Sequence, residues 1–151
     1  MNEENNMQIK IFRCIPQEAR DIRKQVFIEE QGFQSEFDDI DARALHAVIY
    51  LDGTAAATGR TFPEKEDLSV WHMGRIAVRK EYRGQGLGLA IVRALENAAE
   101  KEGGLVFELS AQLQARRFYE KAGYSAQGGV YMDEHCPHIK MSRRVSRADT
   151  V

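Results

Sequence analysis

The stretch EYRGQGLG, residues 81–88, puts three glycines into five positions. It follows the apolar run Val70 to Val78 and precedes a stripe of Leu87, Ile91, Val92, Leu95 and Ala98 that recurs at helical spacing. The spacing predicts a strand, a glycine loop and a helix that ends at Gly103-Gly104. The loop therefore sits at a helix N-terminus, where unpaired backbone N–H groups and the helix dipole attract anions. Glycine lets a phosphate approach without a Cβ in the way. A plain connecting loop would use the same residues, so the spacing has to separate the readings. A P-loop needs a lysine followed by Ser or Thr after the glycines, and none follows. A dinucleotide fingerprint needs G-x-G-x-x-G, whereas this loop reads G-x-G-x-G.

The flanking chain completes one α/β domain. Gln8 to Cys14 alternates as a strand, and Pro16 to Glu30 carries Ala19, Ile22, Val26 and Phe27 on one helical face. An acidic, aperiodic loop, QGFQSEFDDIDARA, leads into Leu45 to Leu51. Asp52-Gly53 predicts a tight hairpin returning through Thr54 to Phe62. Leu105 to Ser110 reads as a strand, Gln112 to Ala122 as a short helix, and Val130 to Met141 as a strand pair or a strand bent at Pro137. The order predicts a mixed sheet with helices on both faces. Residues 1–7 are expected to be a disordered leader, residues 8–141 the domain, and residues 142–151 a polar tail.

With 151 residues, 43% hydrophobic and 29% charged, the chain has ordinary single-domain composition. A formal charge of -2 gives no overall positive field to collect nucleic acid or anionic membrane. No apolar run approaches the roughly 20 residues of a spanning helix. Cys14 and Cys136 are expected as reduced thiols, and the protein as cytoplasmic.

Arg83-Gly84-Gln85-Gly86-Leu87-Gly88 resembles the [QR]-x-x-G-x-[GA] motif of the GNAT family of N-acetyltransferases. SAQLQARRFYEKAGY, residues 110–124, is similar to that family's later signature, N-x-x-A-x-x-[FY]-Y-x-x-x-G-[FY]. VFIEEQG at 26–32, HMGRIAV at 72–78 and PHIKM at 137–141 resemble its ElaA-like branch. The likeness covers residues 8–141. It implies a mostly antiparallel sheet of six to seven strands, splayed between its two central strands.

It also implies acetyl transfer from acetyl-CoA to a primary amine of a small molecule or peptide, by direct attack within a ternary complex. Backbone N–H groups from Gly84, Gly86, Leu87 and Gly88 would take the pyrophosphate, with side-chain contacts from Arg83 and Gln85. Ile76, Ala77 and Val78 would run beside the pantetheine, the Val78 N–H serving the carbonyl oxygen. Gln112, where the family often has Asn, and Arg116 would add contacts, although Arg116 also reads as a solvated helix charge.

The resemblance makes Tyr119 the acid for the departing thiolate. The residue also falls on an apolar helical face, and packing alone would account for it. The base is His72, a glutamate or a water, His72 lying eleven positions before Arg83 where family members carry a glutamate. Glu30, Glu134 and His138 are acceptor-site candidates, the last two by shared strand parity. His135, Cys136 and His138 lack a fourth ligand, and no metal is expected. A homodimer stays open, and a non-catalytic acyl-CoA-binding module of the same fold is the alternative function.

Overall fold

The computed structural model describes residues 6–145. Seven strands form one sheet: β1 (Met7–Phe12), β2 (Leu45–Leu51), β3 (Thr54–Pro63), β4 (Val70–Val78), β5 (Val106–Gln112), β6 (Ser125–Asp133) and β7 (Cys136–Arg144). Their order is β1-β2-β3-β4-β5-β7-β6. Every neighbouring pair is antiparallel except β4 and β5, which run parallel. The strands take in Met7 and residues 142–144, which the sequence had assigned to the leader and the tail. The rest of the leader up to residue 5, and the tail from residue 146, lie outside the described residues.

Helix α1 (Gln17–Arg23) covers one face of the sheet, while α2 (Leu87–Lys101) and α3 (Arg116–Lys121) cover the other. The single first helix expected to Glu30 changes pitch at Lys24. Lys24–Glu30 is π-helical, and Gln31 N–H reaches back five residues to the Val26 carbonyl at 3.1 Å. The apolar stripe of α2 is buried as its spacing requires, with Leu87, Ile91, Val92 and Leu95 at 5% exposure or less. α2 lies so close to β3 that a Cβ on Gly59 would meet Ile91 Cγ2 at 2.6 Å. Asp52 and Gly53 both take positive φ, 50° and 83°, closing the two-residue hairpin between β2 and β3.

Two irregularities make the site. β4 and β5 pair only from Val70–Val106 to Met73–Leu109, so their C-terminal halves diverge into a fork. In β4, Arg75 and Ile76 stand against Gly59 of β3, since Gly74 pairs with Arg60 and Ala77 with Thr58. This is a bulge, and it holds Arg75 at a φ of 51°, unusual for a residue with a side chain.

The end of the chain corrects the sequence reading. β6 begins at Ser125 rather than Val130, and Pro137 is the second residue of β7 rather than a bend. Glu134 and His135 form the turn between these strands, Glu134 with a φ of 53°. Glu134 therefore shares no strand parity with His138. Cys14 is exposed, Cys136 is buried, and both are free thiols. Among the described residues no helix is long and apolar enough to cross a membrane.

Candidate active site

A cleft of about 900 Å³ opens at the fork. Of the residues singled out from sequence, His72, Ile76, Ala77, Val78, Arg83, Gln112, Tyr119 and His138 line it. Gly84, Gln85, Gly86, Leu87, Gly88, Arg116, Glu30 and Glu134 do not.

Arg79 N–H donates to the Ala56 carbonyl at 2.9 Å, so the next register pair, Val78 with Ala57, is of the non-hydrogen-bonded kind. Val78 consequently turns its own N–H and C=O away from β3 and toward the fork. Its carbonyl accepts instead from Arg83 Nε at 3.0 Å. The strand presents an open edge at this point, in front of the glycine loop.

Gly84 and Gly86 have φ values of 83° and 81°, and nothing lies within 4 Å of where a Cβ would stand on either. Gly86 is the N-cap of α2, and no side chain caps the helix. The first-turn N–H groups therefore have no intrahelical partner. Leu87 buries its side chain in the core and offers only its backbone. Gly88 makes room for Phe118, whose Cζ would lie 3.4 Å from a Cβ there.

Arg83 and Glu30, expected at opposite ends of a bound cofactor, are paired with each other. Arg83 Nη1 and Nη2 donate to the two Glu30 oxygens at 2.7 and 2.8 Å. Those hydrogen bonds hold the Glu30 carboxyl below its ordinary range. Arg116, exposed outside the cleft, pairs with Glu120 at 3.5 Å. Gln112 donates to Gln31 Oε1 at 2.7 Å, tying β5 to the end of the π-helical segment.

Tyr119 stands on α3 with its ring edge-on to Phe118 and Tyr124, at 5.0 and 6.0 Å between centroids. Burial pushes its phenol up to about 12. Its hydroxyl makes no hydrogen bond to another described residue, and the residue both packs and faces the cleft. His72 stacks on Phe62 and is bonded through Nε2 to Glu64 at 2.5 Å, with Glu108 4.0 Å from Nδ1.

The acidic loop is not a solvated connection but the wall of the cleft. Arg23 is 1% exposed and binds Glu36 at 2.8 Å and Asp41 at 2.8 Å. Arg60 bonds to Asp38 and Asp41, and Arg75 to Glu36 and Asp38. Burial raises the Glu36 carboxyl despite these partners. Burial works the same way on Asp41, but hydrogen bonds and charge from Arg23 and Arg60 outweigh it and hold that group down to about 2. Glu134 closes the lattice, its carboxylate accepting the Gln34 and Ser35 N–H groups at 3.0 and 3.2 Å. These bonds lower its pKa.

Sequence reasoning missed Glu36, Glu108, Ser110, Tyr131 and Asp133, all of which line the cleft. For Glu108 and Ser110 a signal existed, since alternation along the predicted strand Leu105 to Ser110 puts them on one face. Among the described residues no three His, Cys, Asp or Glu side chains are placed to hold a metal.

The acetyltransferase (GNAT) domain family matches residues 14–145. The Bacillus subtilis protein YyaT is 35% identical over 138 residues, covering 86% of this chain and 89% of that protein. Escherichia coli ElaA is 28% identical over 131 residues, covering 84% and 86%. Its crystal structure superposes with a TM-score of 0.80 at 23% identity, covering 93% of this chain and all of ElaA. An acyl-CoA N-acyltransferase of Pseudomonas aeruginosa superposes with a TM-score of 0.77 at 26% identity, covering 93% and 99%. The seven-stranded fold superposes on both solved structures over 93% of this chain, and the chain belongs to the GNAT acetyltransferase family.

Proposed function

We propose that the chain transfers an acetyl group from acetyl-CoA to a primary amine by direct attack within a ternary complex. The observation that carries this reading is the open edge of β4 at Val78, set beside the uncapped α2 N-terminus in the cleft that Tyr119 also lines. Acetyl-CoA supplies an activated thioester carbonyl when bound.

The protein's own groups divide the remaining work. The backbone N–H groups of residues 84–88 suit a pyrophosphate, because nothing stands within 4 Å of where a Cβ would be on Gly84 or Gly86. Val78 offers its N–H and C=O along an extended chain, in the manner of an added strand, and the N–H serves the carbonyl oxygen. For this the Arg83 guanidinium must leave the Val78 carbonyl, and it then becomes available to the phosphates. His72, held by Glu64, takes the proton that the attacking ammonium must lose. Tyr119, its hydroxyl unpartnered among the described residues and protonated at neutral pH, donates to the departing sulfur.

Thermal unfolding with and without ligands tests the reading. Acetyl-CoA at a hundred times its Kd stabilises the fold by about 2.7 kcal/mol. At roughly 2–4 °C per kcal/mol for a domain of this size, the midpoint rises by about 5–11 °C. ATP and NAD leave it in place. Stabilisation by NAD and none by acetyl-CoA overturns the proposal, and stabilisation by acetyl-CoA without thiol release on any amine leaves a binding module instead.

A further inference from the structure

Beyond the fork the cleft continues over β5 and β7 to β6, and this outer arm has its own chemistry. His138 is 6% exposed and lines the cleft. Its Nδ1 lies 2.9 Å from the Cys136 carbonyl, which can only accept, so Nδ1 carries the hydrogen. Nε2 is then a fixed lone pair with no donor among the described residues. Tyr131 stacks parallel to the His138 ring at 6.1 Å, and Phe33 stands edge-on to it at 6.3 Å. Asp133 follows two positions along β6 on the same face as Tyr131.

Charge distinguishes this arm from the rest of the wall. Arg60, Arg75, Arg83 and Lys140 each have a carboxylate partner, Lys140 bonding Glu108 at 3.4 Å. Glu36 and Glu108 are likewise paired. Asp133 has no ion pair or hydrogen bond among the described residues. Among the described residues the cleft wall thus ends in one free carboxylate, a fixed lone pair and aromatic faces, with no unpaired Lys or Arg lining it. The Tyr131 hydroxyl is hydrogen-bonded to the Ser110 hydroxyl, so a carboxylate or phosphate ligand would meet the Asp133 charge with at most a hydroxyl to offset it, whereas an ammonium finds three kinds of partner.

We infer that the acceptor is a diamine-type cation. One amine reaches the fork, while a second ammonium sits between His138, Tyr131 and Asp133. Asp133 is two strand spacings beyond β5, roughly 10 Å, so the two nitrogens are joined by a flexible linker of several bonds. This rests on the acetyl-transfer reading for the reaction but not for the binding.

Hexanediamine, hexylamine and aminohexanoate have equal reach and differ only at the far end, so they isolate the subsite. Wild-type kcat/KM is expected to be at least tenfold higher for hexanediamine than for hexylamine, and lowest for aminohexanoate. Asp133→Asn, at a side chain without protein partners, brings hexanediamine to within about threefold of hexylamine, through KM. Asp133→Lys moves the preference toward aminohexanoate. Calorimetry of hexanediamine against the protein saturated with CoA gives a second readout, with binding weakened at least tenfold in Asp133→Asn. Equal use of diamine and monoamine overturns the inference, as does a preference that survives Asp133→Asn. If acetyl-CoA itself fails to bind, the transfer reading fails. The subsite is then judged by hexanediamine binding alone, and its absence sinks the inference.

Discussion

Replacing Tyr119 by Phe removes one hydroxyl and leaves the ring that packs on Phe118 and Tyr124. The size of the effect follows from the position of the phenol, about 12, against an alkyl thiol near 8.5. Complete proton transfer from Tyr119 to a thiolate would run uphill by about 3.5 units, or close to 5 kcal/mol. In the proposed reaction Tyr119 would therefore act as a hydrogen-bond donor to the sulfur as charge develops there, rather than as an acid that gives up its proton. A hydrogen bond to a charged group contributes about 1.5–3 kcal/mol, so kcat should fall roughly 10- to 150-fold. The Kd for acetyl-CoA should stay within about twofold. No limb of the wild-type pH profile below about pH 11 should belong to this residue. Stopped-flow detection of released thiol, with calorimetry for binding, reads both quantities. A variant as active as wild type removes Tyr119 from the chemistry. A variant that loses acetyl-CoA binding with kcat intact assigns it to packing.

Three further perturbations probe the other parts. His72→Ala should lower kcat about 100-fold or more at unchanged acetyl-CoA affinity, the usual range for a lost general base, and a loss below tenfold hands the proton to water or Glu108. Glu30→Gln should release Arg83 and tighten acetyl-CoA binding up to about fivefold, the equivalent of an exposed pair worth 1 kcal/mol, whereas weaker binding in calorimetry removes Arg83 from the cofactor contacts. Asp41→Asn should cost about 2 kcal/mol in urea unfolding at pH 7, since its carboxyl falls from 3.8 to about 2 on folding. Because the folded pKa is the lower one, that stability is present above about pH 4 and lost as pH drops toward 2, so an equal deficit at pH 7 and pH 2 contradicts the ion-pair account. Glu36, raised on folding, acts in the opposite direction and is common to both proteins.

What the sequence displays is whatever depends on near neighbours. The glycine loop, the stripe of α2 and the Asp52-Gly53 turn are each written within a few residues, and each folds as read. The FYEKAGY helix is shorter than the expected span from Gln112 to Ala122, since β5 runs on to Gln112, a 3-10 turn takes Leu113–Ala115 and α3 starts only at Arg116. The outer arm is not written so locally, because Gly128 and Gly129 interrupt the alternation of β6. Gly128 has a φ of 76°, and pairing with β7 skips from Gln127 to Tyr131. The sequence therefore shows a break where an edge strand merely bulges, and Tyr131 and Asp133 go unnoticed. Arg23 is concealed for a different reason. It sits beside Ile22 on the buried side of α1, and a charge there reads as an error in the stripe until Glu36 and Asp41, 13 and 18 residues away, supply partners.

That lattice bears on the reaction through Arg75. A side chain held in the left-handed region costs on the order of 1–3 kcal/mol, and such positions persist only when their surroundings over-determine them. Arg75 Nε donates to the Glu36 carbonyl at 3.0 Å and lies 3.1 Å from its carboxylate, while Nη2 reaches Asp38 at 3.4 Å. Glu36 is in turn fixed by Arg23, and Asp38 by Arg60. The acidic loop thus opposes the backbone cost of the bulge, and the bulge sits where β4 parts from β5. Loop, lattice and fork form one device in which buried charge holds the edge of β4 open. A protein of this fold with an apolar loop in that place would need another means, such as glycine at position 75, to keep the same edge free.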